Sequence, residues 1–228
     1  MNGGRGGAPL AFIIPRCAFI VPMDEPTLFT PDELRLVADR QFFPAKARVM
    51  AKVRATLDAL HDGLKADLAG AELVVPKTFD PAKFQLVKGE HLEAFPYQYL
   101  DFPKHFAGDE TFTFRSLFWW GHAFVFALIL EGPHLLQYKR NLINRYHEVA
   151  AKELQLSLAP TPWEWKSGEG YTLPLTHDRK PEVAAVLAGR RFFKLARYVS
   201  VDDPAVRDGL VPAIGRETWR NLLPVVTP

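Results

Sequence analysis

Seven ionisable or aromatic side chains in the middle of the chain have the types needed for chemistry: Lys88, Glu90, Tyr97, Asp101, Arg115, Trp119 and His122. Glu90, Asp101 and His122 are candidate acids or bases. Lys88, Tyr97, Arg115 and Trp119 are candidate ligand contacts, the cations meeting an anion and the rings stacking on a base or sugar. Either role requires these groups to converge in space. Most histidines and core aromatics do no chemistry, so surface histidines and packed rings account for the same residues without any site.

The motifs of the common mechanisms are absent. Gly3-Gly-Arg-Gly-Gly7 lacks the Lys-Ser or Lys-Thr and the preceding strand of a phosphate loop. There is no His-Glu-x-x-His, no paired-cysteine zinc spacing and no Gly-x-Ser-x-Gly turn. The seven histidines are not spaced as ligands on one helix face, so no metal site is read. No cofactor is specified either. A net charge of +2 is too small to indicate nucleic acid or an anionic membrane surface.

Arg115 lies inside the most informative stretch, about 111–131, where two apolar, aromatic segments flank Gly121. Phe, Trp, Val and Ile favour strands, and glycine supplies the positive φ of a tight turn. A two-residue Gly121-His122 turn would place Trp120 opposite Ala123, Phe118 opposite Val125 and Arg115 opposite Leu128. Val125 and Ile129 would then share a face with Phe112, Phe114 and Phe118. Neither face is polar, so both must be covered. A guanidinium among leucines needs a partner. Asp101, Glu110 and Glu131 are the nearby carboxylates, giving a structural ion pair, and an anion-binding Arg is the alternative. The preceding residues 88–106 read as a polar, aromatic segment over one end of the sheet.

Around this hairpin the pattern is mixed. Thr30-Pro-Asp-Glu33 is a helix start with a capping box, running to about Phe43. From Pro44 a longer helix carries Met50, Val53, Leu57, Leu60, Leu64 and Leu68 on one stripe. Residues 72–76 and 84–88 are short strand candidates. A helix is expected from Pro133 to about Leu154. A small hairpin is expected from Trp163-Glu-Trp165 and Gly170–Pro174, then a helix from Pro181 to Ala188, a strand or helix over 192–201, and a last helix over 215–223. With no regular βαβ rhythm, this is an α+β fold: a single domain with a mostly antiparallel sheet, its aromatic hairpin covered by amphipathic helices.

Residues 1–22 read as a disordered or artefactual extension, and 23–228 as the domain. The apolar run after Leu10 is split by Pro15 and Arg16, unlike a signal peptide, and no segment reads as a membrane span. The lone Cys17 permits no intrachain disulfide, which suits a reducing, cytoplasmic setting.

Pro96-Tyr-Gln-Tyr-Leu-Asp-Phe-Pro103, followed by Phe114-Arg-Ser-Leu-Phe-Trp-Trp-Gly121, resembles an uncharacterised bacterial protein family with a Pro-Tyr-x-x-Leu-Asp-Phe-Pro element and a Phe-Arg-x-Leu-Phe-Trp-Trp-Gly hairpin. Phe193-Lys-Leu-Ala-Arg197 and Leu222-Leu-Pro224 are similar as well. The resemblance spans about 24–224, transfers no activity, and implies a bacterial cytoplasmic protein. The expected function is a non-enzymatic domain that binds a small-molecule ligand or a protein partner. The alternative is a hydrolase or transferase acting on a phosphorylated or nucleotide-like small molecule.

Overall fold

The computed structural model describes residues 28–228. The expected extension and Cys17 lie outside them. Contacts divide the chain between Pro44 and Ala45. In the first unit, helix α1 (Pro31–Ala38) starts with the expected capping box: Glu33 N donates to Thr30 Oγ1, and the Thr30 N donates to Glu33 Oε2. It ends before Phe43 because Asp39 accepts from Gln41 N and Phe42 N, opening α2 (Phe42–Leu68) there. Pro44 therefore sits in the first turn of α2, where a missing N–H costs nothing.

Residues 45–228 form an α+β domain around a seven-stranded antiparallel sheet. The strands are β1 (Gln85–Leu92), β2 (Phe95–Ala107), β3 (Glu110–Trp119), β4 (Ala123–Glu131), β5 (Gln155–Ser157), β6 (Thr172–Pro174) and β7 (Phe192–Ser200). Their order is β1-β2-β3-β4-β7-β5-β6. The helices after α2 are α3 (Leu135–Asn144), α4 (Tyr146–Val149), α5 (Lys180–Ala188), α6 (Pro204–Arg207) and α7 (Val211–Val226).

Several elements differ from expectation. The aromatic segment before the hairpin is itself strand β2, and its prolines are placed where a donor is not needed. Pro96 is the second residue of the strand and its carbonyl accepts from Trp120 N, and Pro103 sits where the register shifts between Asp101 and Lys104. Residues 72–76 form no strand: Val74 N donates to the Val226 carbonyl at the end of α7. The helix after Pro133 breaks at Arg145 into α3 and α4, and β5 follows. Thr172–Pro174 pairs with β5, so Trp163–Trp165 is left without a strand partner.

The β3–β4 turn is one residue longer than expected. Trp119 pairs with Ala123, and His122 N donates to the Trp119 carbonyl. Gly121 has a φ of 72° at the third position of that turn, where a type II turn requires it. The extra residue reverses the face of every β4 side chain relative to β3. Phe112, Phe114 and Phe118 thus share a face with Phe124, Phe126, Leu128 and Leu130, and Arg115 lies opposite Ala127.

That first face is roofed by helices. Val53, Leu57, Leu60 and Leu64 of α2, Leu142 of α3, and Trp219 and Leu222 of α7 complete its core. Helix α7 approaches closely because Gly215 has no side chain: a Cβ there would stand 2.8 Å from Phe126 and 2.9 Å from Leu60. The second face carries Leu117, Trp119, Val125, Ala127, Ile129 and Ala196, and among the described residues no helix contributes to its buried cluster. It is covered by the irregular segment 160–171, whose Trp165 is buried against it.

Replacing Gly121 isolates the turn. A Cβ would approach nothing closer than 3.7 Å, so the cost of Gly121→Val is backbone strain alone. Denaturant unfolding is expected to show a loss of about 1–3 kcal/mol. An unchanged midpoint would contradict the positive φ.

Candidate functional site

Arg115 and Asp101 face each other across β2 and β3. Their pairing is bidentate: Nε donates to Oδ1 and Nη2 to Oδ2, both at 2.7 Å. Asp101 is 0% exposed and Arg115 9%. The guanidinium also lies 3.8 Å from the Tyr99 ring centre and 4.9 Å from that of Trp163. Of the two readings, the geometry is that of the structural ion pair with Asp101. Both carboxylate oxygens and two guanidinium nitrogens are occupied, and aromatic rings stand against the cation.

On the same face, β7 contributes a second buried cation. Lys194 is 0% exposed. Its Nζ donates to the Pro162 carbonyl at 3.0 Å and to the Glu164 carbonyl, and stands 4.2 Å from the Trp165 ring centre. Burial pushes its ammonium down to about 8. Arg190 holds the entry to the same segment by donating to Leu158 and Ala159 carbonyls. An irregular chain over an apolar sheet needs partners for its carbonyls. Here two buried or half-buried cations provide them.

Trp119 and His122 lie at the hairpin end of this face, about 13 Å along β3 from Arg115 at the usual rise per residue. Trp119 Nε1 donates to the Leu92 carbonyl at 3.1 Å. The His122 ring stacks on Trp119 at 3.7 Å with 4° between planes. Its Nδ1 is 2.8 Å from the Trp120 carbonyl oxygen. A carbonyl only accepts, so Nδ1 carries a proton.

Beside this stack opens a cleft of 490 Å³, with Val125 at its base and Trp165, Tyr171 and Tyr198 around it. Lys166 and Glu93 also line it and are bridged at 3.2 Å. The Tyr198 hydroxyl is buried and without a hydrogen-bond partner. Burial pushes its pKa up to about 12, so it is a neutral phenol over the physiological range.

The structure therefore separates the seven candidates. Asp101 and Arg115 neutralise one another. Glu90 is exposed and bonded to Lys46. Lys88 is exposed on edge strand β1. Tyr97 pairs with Trp119 across the strands and stacks parallel to Tyr99 at 6.1 Å, its ring lying over Gly89. Trp119 and His122 alone line the cleft. The acid–base and anion-binding group drawn from the sequence is not assembled in one pocket. Among the described residues, His, Cys, Asp and Glu side chains nowhere gather in a group able to hold a metal ion. No helix among them is long and apolar enough to cross a membrane.

Trp165, Lys166, Tyr171, Tyr198 and Lys194 were not singled out in the sequence. A signal existed for Lys194: like Arg115, it is a cation inside an apolar strand pattern, Phe192-Phe-Lys-Leu-Ala. Comparison with models of known protein families and with curated proteins finds no match to this chain.

Two measurements test this arrangement. Asp101→Ala strands a buried cation, and Arg115→Leu strands a carboxylate with no exposure at all. Each is expected to cost roughly 3–5 kcal/mol, and Arg115→Leu to be the more damaging, because Arg115 keeps some exposure and its aromatic neighbours when left alone. The double variant should be more stable than either single one. Strictly additive losses would show no interaction.

For Lys194 the sign follows from its depressed pKa. Below pH 8 folded and unfolded chains both bind the proton, and between about 8 and 10.5 only the unfolded chain does. Its stabilisation is complete above the unfolded value and is lost as pH falls through 8. Across that window the stability of the wild type relative to Lys194→Met should rise by up to roughly 1.4 kcal/mol per pH unit. A flat difference would refute a depressed ammonium.

Proposed function

We propose that the protein is a non-enzymatic α+β domain that binds a small molecule in the cleft beside Trp119 and His122. The observation that carries this reading is the cleft itself: an open hollow beside the Trp119–His122 stack, lined by the rings of Trp165 and Tyr171. Ligand sites are typically concave, largely apolar and of a few hundred Å³, with a small number of polar groups that set orientation. Trp119, Trp165 and Tyr171 supply the apolar wall, and His122, Ser167 and Ser200 the polar groups.

The alternative of a hydrolase or transferase acting on a phosphorylated or nucleotide-like compound receives less support. It needs a free cation for the anion and an acid or base beside it. Arg115 is taken by Asp101, and Glu90 by Lys46. A cytoplasmic setting fits a chain with one cysteine.

The test is a thermal-shift screen of metabolites against the full chain, repeated with Ser200→Trp. Ser200 is exposed and lines the cleft, so the larger side chain fills it without entering the core. Compounds that raise the melting temperature should also alter tryptophan fluorescence, and both responses should vanish in Ser200→Trp. Hits indifferent to that substitution would place binding elsewhere. Turnover of a bound compound would replace the binding reading with an enzymatic one.

A further inference from the structure

Helix α1 carries an apolar surface that stays open to solvent. Of the helices of eight residues or more among the described residues, α1 alone buries none of its side chains. Isolated helices shorter than about 12–15 residues are marginal in water, and most helical stability in proteins comes from packing an apolar face. α1 has eight residues. Its capping box fixes where it starts but covers nothing.

The apolar side chains follow one another along the helix. Phe29 and Leu34 hold the two positions, just before the Thr30 cap and just after the first turn, at which apolar groups meet. Val37 lies one turn beyond Leu34. Leu28 precedes them, Leu36 extends the apolar surface around the helix, and Phe43 stands edge-on to Phe42 with ring centres 5.3 Å apart. Leu28, Phe29, Leu34, Leu36, Val37 and Phe43 are each between 52% and 80% exposed. Single exposed apolar residues are ordinary, but such a concentration within residues 28–43 marks an interaction surface.

The chemistry of the surface narrows the occupant. A convex helix offers a small molecule no hollow. Helices that lie on anionic membranes are rich in Lys and Arg on their polar face, whereas here Asp32, Glu33 and Asp39 outnumber Arg35 and Arg40. The same charges suit a second copy. Arg35 is bridged to Asp32, and Asp39 accepts from the first backbone N–H groups of α2. That leaves Glu33 near the start of α1 and Arg40 just past its end, so two antiparallel copies set unlike charges side by side. The area also suffices: six such side chains expose on the order of 600 Å² per copy, about 1,200 Å² over two, the lower end of specific interfaces.

We infer that α1, with Leu28, Phe29 and Phe43 beside it, is a docking surface for a second copy of this chain. Two α1 helices pack antiparallel about a two-fold axis near Val37, and each covers the apolar side chains that the other exposes. Because the same patch serves both copies, the association closes at a dimer. The inference is independent of the cleft reading, since the two share no residue.

The test is analytical ultracentrifugation of the full chain from about 1 to about 200 μM, the range in which a small interface dissociates. The wild type is expected to pass from monomer to dimer. Phe29→Asp/Val37→Asp should weaken the dimer on the order of 100-fold or more, since each interface then buries four carboxylates. Leu136→Asp, at a 67% exposed leucine of α3, is the control and should leave the affinity unchanged. All three positions are on the surface, so the variants should keep the circular dichroism of the wild type. In a Cys17→Ser background, Val37→Cys should oxidise to a covalent dimer and Leu136→Cys should not. A wild type that stays monomeric throughout would overturn the inference, whether residues of its own chain cover the patch or the protein sediments with phosphatidylcholine vesicles instead. A dimer that survives Phe29→Asp/Val37→Asp, or one that Leu136→Asp weakens equally, would also overturn it.

Discussion

Lys194 lies within the seven-stranded sheet with no surface exposed, and its Nζ reaches the carbonyl oxygens of Pro162 and Glu164. That contact decides how the second face of the sheet is closed. Helices satisfy their own backbone groups and can lie on an apolar surface unaided. An irregular segment cannot, and each carbonyl it turns toward the sheet needs a donor. Lys194 and Arg190 are those donors, and they hold Trp163 and Trp165 over Arg115 and the strands. The aromatic surroundings of the cleft follow from this closure, since Trp165 is both the segment's anchor and one of the cleft's walls.

The second face therefore buries two cations, Arg115 and Lys194, without leaving either unpaired, and keeps a half-exposed ion pair at its rim. Arg115 is matched to Asp101, Lys194 to carbonyls, and Lys166 to Glu93. Buried ion pairs are weak evidence for stability and, by themselves, no evidence for catalysis. Their effect here is geometric: each fixes an aromatic ring, Tyr99 beneath Arg115 and Trp165 beneath Lys194.

Sequence patterns conveyed the fold class more readily than the site. The stripe Val53, Leu57, Leu60, Leu64 marked the face of α2 that packs on the sheet, and Thr30 with Glu33 marked a helix start. The Arg115–Asp101 pair was legible because a lone guanidinium in an apolar strand demands a carboxylate. The side-chain faces of β4 were not, since they hinge on whether the turn holds two residues or three, and Gly121 fits both. The cleft was not legible either. It is built from Trp119, Trp165 and Tyr198, which are far apart in the chain, and the last two draw no attention until the 160–171 segment is folded back over the sheet. Residues 72–76 and 163–165 have strand-like composition but no strand partners, a limit of propensity where pairing decides.

The order of strands has a consequence for synthesis. β1 to β4 are consecutive neighbours and can pair as soon as they emerge, but β4 borders β7, which follows roughly 60 residues later in the chain. During translation at about 5–20 residues per second, that interval lasts on the order of 3–12 s. Throughout it the open edge of β4 displays Phe124, Val125, Phe126 and Leu128 beside unpaired backbone groups, a template for association between nascent chains. β5 and β6 cannot shield that edge, because β5 itself pairs with β7. A chain halted before Phe192 would thus keep the β4 edge without its native partner.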